Sequence, residues 1–407
     1  MYGVGLQRGK VIVVGGTYIE RCVFPYWNQI YGSGLRAAIA LSDVCPRCAL
    51  HSYVNVDWLE DVTATLEAFG IEQDLRPIRR QIVFDYLHSF EILARPESDS
   101  NDEIDQFDVK GDVVLLFGML EGDARVKAKR VIFDPQYRDA SLFIDNGSEA
   151  ESLALVLNLE ELLRSGSINW PPDQDPLTAT EEQRRTAVQN IFDAGLSKSL
   201  VIVVKHRFGG ADVYLGDDAP LRIPAYSASA FFKIGSGDIF SAAFAYAWGV
   251  RHMNASVAAE YASLCSAHYI EGRQIPLPSP EDIEPRSPVA GSFNGGIALS
   301  GSVSESNTEL LKHADFWIRF LGASPNLSLV GPQHNLFDVG AEEVVLGLFD
   351  QNASPADITT LRSRIGDRRR LIVYWPSTRI PTEEIPNTLV ATDYASALYL
   401  ALRESRR

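Results

Sequence analysis

The sequence predicts an α/β protein: a mostly parallel sheet sandwiched by helices, a small β lid above it, and a Rossmann-like α/β domain following it. Three observations carry this. Short apolar, β-branched runs alternate with amphipathic stretches through the first two thirds of the chain, the pattern of parallel strands covered by crossover helices. An aromatic and β-branched segment over 79–96, RRQIVFDYLHSFEILARP, has a different texture and reads as a hairpin or short antiparallel sheet. Beyond a stretch rich in Pro, Ser and Gly, strand and helix patterns begin again.

Taken in order, strands are expected at 10–14, 113–117, 130–133, 153–157 and 200–204, with helices at 35–41, 58–69 and 180–194. The segment 272–296, GRQIPLPSPEDIEPRSPVAGSFNGG, suits a connection better than an element. This divides the chain into a domain over 1–283 with its lid near 79–96, a linker over 284–296, and a smaller α/β domain over 297–407. In the last, a strand at 297–299 leads into a helix over 308–321 with Leu310, Leu311, Ala314, Trp317 and Ile318 on one face. A strand at 327–330, a helix at 340–349, a strand at 371–375, and a final strand and helix over 388–403 complete it.

With 46% hydrophobic and 22% charged residues, the chain can bury a core large enough to exclude disorder as its main state. Its 53 acidic against 37 basic side chains argue against a nucleic-acid partner, because phosphate backbones demand an excess of cations. No apolar run reaches membrane-spanning length, and MYGVGLQRGKVIVVGG reads as a strand followed by glycines. A cytoplasmic protein without a membrane partner is expected. Cys45 and Cys48 form a lone CxxC. That spacing suits a zinc or redox site or, without a second pair, ordinary reduced thiols beside a turn.

The most informative stretch is KIGSGDIFSAAFAYAWG, residues 233–249. Gly235, Ser236 and Gly237 precede Asp238 at the start of an alanine-rich helix. Small residues there leave outward-pointing N–H groups at the positive end of the helix dipole, where a phosphate can sit. Asp238 is then either a helix cap or a base for a hydroxyl attacking that phosphate. Asn158 and Glu161 in LVLNLEE have two readings as well. They are a cap and a helix-surface charge, or a carboxylate and amide able to hold magnesium through water.

The stretch 201–238 resembles the C-terminal signature of the PfkB carbohydrate kinase family, which includes ribokinase and adenosine kinase. Other pieces follow that family's order: VIVVGGTYIERCVFP (11–25) for the first strand, GSGL (32–35) for a substrate loop, VIFDPQYR (131–138) for an FDPNxR strand, and LVLNLEE for NxxE. The resemblance implies a ribokinase-like fold over about 10–283 and an ATP-dependent kinase acting on a hydroxymethyl group of a sugar or nucleoside. It makes Asp238 the general base and Gly235, Ser236 and Gly237 the anion hole. Lys205, Gly209 and Gly210 come to lie near ATP, and Asn158 and Glu161 near Mg2+. Glu20, Gly32, Gly34 and Arg36 fall on the substrate side, and the aromatics Phe84, Tyr86 and Phe90 form a lid packing on the main domain, on substrate, or on a second copy in a homodimer.

Departures cluster on the substrate side. Glu20 stands near the family's Asn-x-Asp, and Arg36 replaces the asparagine of its GGKGAN loop. A guanidinium there suits an anionic or carbonyl-bearing substrate, or a salt bridge to a nearby carboxylate. Phe232, Lys233 and Ile234 replace Asp-Thr-Thr, which removes a monovalent-cation site and leaves the Lys233 ammonium either to stand in for that ion or to face solvent. Only MLEGDARVKAKR separates Gly118 from the FDP strand, which shortens a helix. The segment 297–322 is weakly similar to the opening of nucleoside deoxyribosyltransferase-like domains. Glu342, Glu343 and Asp338 are the acidic candidates there, each also readable as a helix-start charge. Beside the kinase stand two alternatives: a catalytically inactive metabolite sensor on the kinase fold, and a regulator of a C-terminal nucleoside-processing domain.

Overall fold

The computed structural model describes residues 9–91, 106–171, 174–216, 218–289, 296–301, 305–321, 323, 325–326, 344–349, 354–376 and 385–406. The chain begins with β1 (Val11–Val14), β2 (Ile19–Phe24), β3 (Trp27–Ile30), α1 (Gly32–Leu41), β4 (Cys48–Asn55), α2 (Leu59–Ala68) and β5 (Glu72–Ile78). There follow β6 (Val83–His88), β7 (Phe107–Phe117), β8 (Ala124–Asp134), α3 (Leu142–Asp145), β9 (Glu149–Asn158), α4 (Leu159–Ser165) and α5 (Glu181–Asp193). Next are β10 (Leu200–Lys205), β11 (Ala211–Tyr214), β12 (Leu221–Ile223), α6 (Ser236–Phe244) and α7 (Ala255–Gly272). The rest comprises β13 (Ile297–Gly301), α8 (Glu305–Phe320), β14 (Pro325–Asn326), β15 (Val344–Leu348), α9 (Pro355–Ile365), β16 (Arg370–Tyr374), β17 (Thr388–Ala391) and α10 (Tyr394–Glu404).

Nine strands form one sheet in the order β12-β11-β10-β9-β8-β7-β1-β4-β5. It is parallel from β10 to β5, and β11 and β12 add an antiparallel edge. In β1, Val11 and Val13 enter one apolar core while Ile12 and Val14 enter another on the opposite face. That period of two, with both sets buried, is why the strand reads as an unbroken apolar run. α1, α6 and α7 cover one face, and α3, α4 and α5 the other. This is the architecture expected of the first part of the chain.

The lid departs in detail. The described part of 79–96 is a single strand, β6, and not a hairpin; residues 92–96 lie outside the described residues. Its partner is β2, in parallel, and β2 pairs with β3 to give the order β3-β2-β6. The segment alone carries no trace of this, because its partner lies more than 50 residues earlier. Between β7 and β8 residues 118–123 form no helix, and VKAKR belongs to β8.

The second sheet is wholly parallel, ordered β14-β13-β15-β16-β17. α8 and α10 pack on one face and α9 on the other. The helix expected at 340–349 is contradicted, since 344–348 form the central strand β15, buried throughout. A short apolar run with both faces covered has the same composition as a buried helix segment. The strand expected at 327–330 lies outside the described residues, and so do Glu342, Glu343 and Asp338.

Candidate functional site

The carboxyl ends of the parallel strands and the start of α6 converge on Asp238. Gly235 caps α6 with φ +80°, and a Cβ there would meet the Arg36 guanidinium carbon at 2.2 Å. Only glycine supplies both that backbone and that clearance. Asp238 is therefore the third helical residue and not the cap, and its side chain turns away from the helix amides. Its Oδ2 accepts from Arg36 Nη1 at 2.8 Å and its Oδ1 from Gln136 Nε2 at 3.3 Å. Burial pushes its carboxyl up to about 6, against the opposing pull of Arg36.

Of the turn amides, Ser236 N–H is used on Lys233 O at 2.9 Å. Those of Gly235, Gly237 and Asp238 have no acceptor among the described residues. Lys205 closes the arrangement. It donates to Asp134 Oδ2 at 2.9 Å, which also accepts from Ser241 Oγ at 2.7 Å. A Cβ on Gly237 would lie 3.6 Å from Lys205 Nζ, so this ammonium borders the turn instead of facing solvent.

Of the residues expected on the substrate side, Glu20 and Arg36 already satisfy each other. Arg36 is fully buried, and both its Nη atoms donate to the Glu20 carboxylate, which is 2% exposed. The guanidinium thus bridges Glu20 and Asp238, and of the two expectations for it the salt bridge is the one observed. Two carboxylates around one guanidinium leave no free cation for an anionic acceptor. Gly32 and Gly34 have a packing reason to be glycine. Cβ atoms there would meet Gly16 O at 2.5 Å and Gly15 O at 2.6 Å, because the start of α1 lies directly against the end of β1.

Asn158 and Glu161 form a reciprocal cap on α4. Asn158 Oδ1 accepts from Glu161 N–H at 2.9 Å and Glu161 Oε2 from Asn158 N–H at 2.7 Å. Glu161 is 5% exposed, so it is no surface charge. Burial, then the charge of Asp134, drives its carboxyl well above the usual range. No group of three His, Cys, Asp or Glu side chains among the described residues is arranged for a metal. With one oxygen of each side chain spent on the cap, the pair makes no direct coordination set by itself and fits an ion only through water.

A cavity of about 890 Å³ opens beside the turn. Asn158, Lys205, Gly210, Lys233, Ser236 and Gly237 line one part of it, and Phe316, Trp317, Phe320 and Tyr399 of the second sheet's helices line another. Gly209, Asp238, Glu20 and Arg36 are not among its lining residues. Lys233 is half-buried, and its ammonium has no hydrogen-bond or ion-pair partner among the described residues. Burial and the nearby Arg207 lower its ammonium to about 8. In the lid, Phe84 packs with Tyr18, Ile82 and Leu120, while Tyr86 packs against Phe84 and Phe90 joins the core of the second sheet.

Sequence reasoning missed three of the site's polar residues. Asp134 and Gln136 sit inside VIFDPQYR, whose pattern was the available signal. Glu121 had none. It is 2% exposed, accepts from Thr17 N–H at 3.0 Å, and is raised to about 7 by burial. The four cysteines are buried free thiols, and burial raises Cys45 and Cys48 above the ordinary range. No helix among the described residues is long and apolar enough to cross a membrane.

No protein-family model matches this chain, and no curated protein does. Solved structures similar to it include a ribokinase from Thermotoga maritima, 17% identical, with TM-score 0.47 and 68% of this chain and 98% of that one covered. A fructokinase from Vibrio cholerae O395, in a form with fructose, ADP and calcium ion bound, is 14% identical with TM-score 0.46 over 66% and 94%. An aminoimidazole riboside kinase from Salmonella enterica, complexed with aminoimidazole riboside and an ATP analogue, is 13% identical with TM-score 0.44 over 67% and 98%. None of these comparisons supports a deoxyribosyltransferase-like C-terminal segment.

Proposed function

We propose that this chain is an ATP-dependent phosphotransferase of the PfkB type, acting on a hydroxymethyl group of a sugar or nucleoside. One observation carries the reading: the Lys205 ammonium and Gly237, whose amide is unsatisfied, line a nucleotide-sized cavity, and Asp238 is the next residue of the same helical turn. Asp238 takes the proton of the acceptor hydroxyl as its oxygen forms a bond to the γ-phosphorus, and the bond from that phosphorus to the β–γ bridging oxygen breaks to release ADP. The Gly235 and Gly237 amides, the N-terminal end of α6 and Lys205 stabilise the charge on the transferring group. Gly210, in the turn after β10, borders the same cavity, and Gly209 shapes that turn. Magnesium, held by the nucleotide phosphates with Asn158 and Glu161 orienting its water shell, would supply charge neutralisation.

Deprotonated Asp238 must also leave Arg36 for the acceptor to approach it. That pairing favours a second reading, a nucleotide-binding sensor without transfer chemistry, because the guanidinium occupies both Glu20 and the base. A nucleotide-consumption screen over sugars and nucleosides, with the wild type and Asp238→Asn, separates the two. The kinase reading expects turnover that falls by roughly 100-fold or more in the variant. Nucleotide binding with no turnover on any acceptor supports the sensor, and equal turnover by both proteins removes Asp238 from the mechanism.

The partner proposed beyond small molecules is a second copy. Val23, Phe24, Tyr26 and Leu87 on the lid strands and their β2–β3 turn are 54%, 52%, 79% and 50% exposed, an apolar face suited to a homodimer through the lid. The reading assigns the protein to the cytoplasm, where ATP is supplied.

A further inference from the structure

The cavity beside the Gly235–Gly237 turn is walled by both sheets' helices, and its two ends differ in chemistry. Lys205, Lys233 and the turn amides make one end cationic, and Arg207, Arg403 and Arg406 line the cavity as well. At the other, Phe316, Trp317 and Phe320 of α8 and Tyr399 of α10 are aromatic. We infer that the C-terminal unit forms the base-side wall of the nucleotide cleft, so that nucleotide binding and docking of this unit are one linked equilibrium. The inference rests on the nucleotide reading above and adds to it a partner within the same chain.

The contacts of the C-terminal unit fall on the segments that shape the cleft. Phe231 stacks on Phe90 and on Tyr399, with ring centroids 4.8 Å apart in each pair. Phe231 N–H donates to Ser396 Oγ at 2.8 Å, and Ala228 N–H to Tyr399 Oη at 3.0 Å. These bonds hold residues 228–231, which lead directly into Lys233 and the turn. On the other flank Arg207, in the turn after β10, donates to Phe320 O at 3.1 Å, and its guanidinium lies 4.4 Å from the Phe320 ring centroid. Arg207 also pairs with Asp175. The lid reaches the same surface through His88, whose Nε2 lies 3.2 Å from His313 Nε2.

Lys233 gives the independent sign that an anion belongs here. It is a half-buried ammonium without a partner, near Arg207 and His88, and burying a charge unpaired is costly. Glu91 and Glu160 also line the cavity, but neither pairs with Lys233. A phosphate chain at this end, with a planar base among the aromatics of α8, satisfies both halves of the cavity. Any ligand that touches both walls binds the docked arrangement more tightly than the open one and stabilises it by mass action.

The test uses the full chain with ADP and inorganic tripolyphosphate as probes, titrated by calorimetry. Phe316→Ala and Phe320→Ala are the wall variants, and Lys205→Ala the variant of the cationic end. Phe316 is 58% exposed, so its truncation leaves the fold standing. The expected result is ADP binding weakened about tenfold or more by each wall variant, as for loss of a base-stacking contact, with tripolyphosphate binding unchanged, and loss of both ligands in Lys205→Ala. ADP should also slow amide hydrogen exchange in α8 and α10. Wild-type affinity for ADP in both wall variants, with no protection of α8 and α10, overturns the inference and leaves the nucleotide reading intact. A wild-type chain that binds neither ADP nor tripolyphosphate overturns both.

Discussion

Replacing Arg36 by methionine is the sharpest perturbation of the site, because this one side chain compensates two buried carboxylates. Arg36 is fully buried, donates twice to Glu20, and donates once to Asp238, whose side chain is 13% exposed. Its loss leaves two acids facing each other with no cation, and breaking a buried pair from one side costs about 3–5 kcal/mol. An orphaned carboxyl can escape by taking up a proton, at about 1.4 kcal/mol for each pH unit above its ordinary range. The destabilisation of Arg36→Met should therefore be about 3–5 kcal/mol at pH 7 and smaller by about 2 kcal/mol or more at pH 5. Urea unfolding followed by circular dichroism at both pH values measures it. Glu20→Gln/Arg36→Met should recover part of the loss, since one orphaned charge is then gone. A loss under about 1 kcal/mol, the scale of an exposed pair, and equal at both pH values would show that the bridge carries no such role.

Four further outcomes follow from the same geometry. Glu121, raised from 4.5 to about 7 by burial, contributes stability that is complete below its unfolded value and lost as pH rises through about 7. Glu121→Gln should flatten the thermal-stability profile over that window by on the order of 3 kcal/mol; an unchanged profile counts against a buried, titrating Glu121. Gly235→Ala, at φ +80° and facing the Arg36 guanidinium, should cost at least about 2 kcal/mol in chemical denaturation. Lys233 is charged below about 8, so ADP affinity should fall as pH rises past that value, and Lys233→Met should remove this limb of the binding profile. Asn158→Ala should cost about 1 kcal/mol as a lost cap and also weaken the magnesium dependence of ADP binding; a loss of stability alone would leave it only structural.

Local signals made much of the first sheet legible. The runs at 10–14 and 200–204 are apolar and β-branched because their strands are buried on both faces, and Gly-Ser-Gly-Asp announces a helix start whatever packs around it. Asn158 was legible as a cap for the same reason, whereas Glu161, which reads as a helix-surface charge, is buried and completes the cap. Where the partner is remote, the reading failed. The segment 79–96 looked like a hairpin because its composition suits a strand, while pairing with β2 depends on how residues 19–24 fold. Residues 344–348 looked helical, since a short apolar run does not state which faces will be covered. Glu121 is an ordinary glutamate in sequence and becomes a raised, buried acid only when Gly16 and Thr17 close over it.

The sequence by itself determined the alternation of strands and helices and the small-residue turn ahead of Asp238, because each is written in residues close along the chain. Tertiary structure alone decided that Arg36 spends its charge on Glu20 and Asp238, and that α8 and α10 form a wall of the cleft beside Lys233. Those facts depend on groups as much as 202 residues apart in sequence. Burial, which only the assembled fold creates, turns such encounters into strong interactions by removing the water that would otherwise screen them.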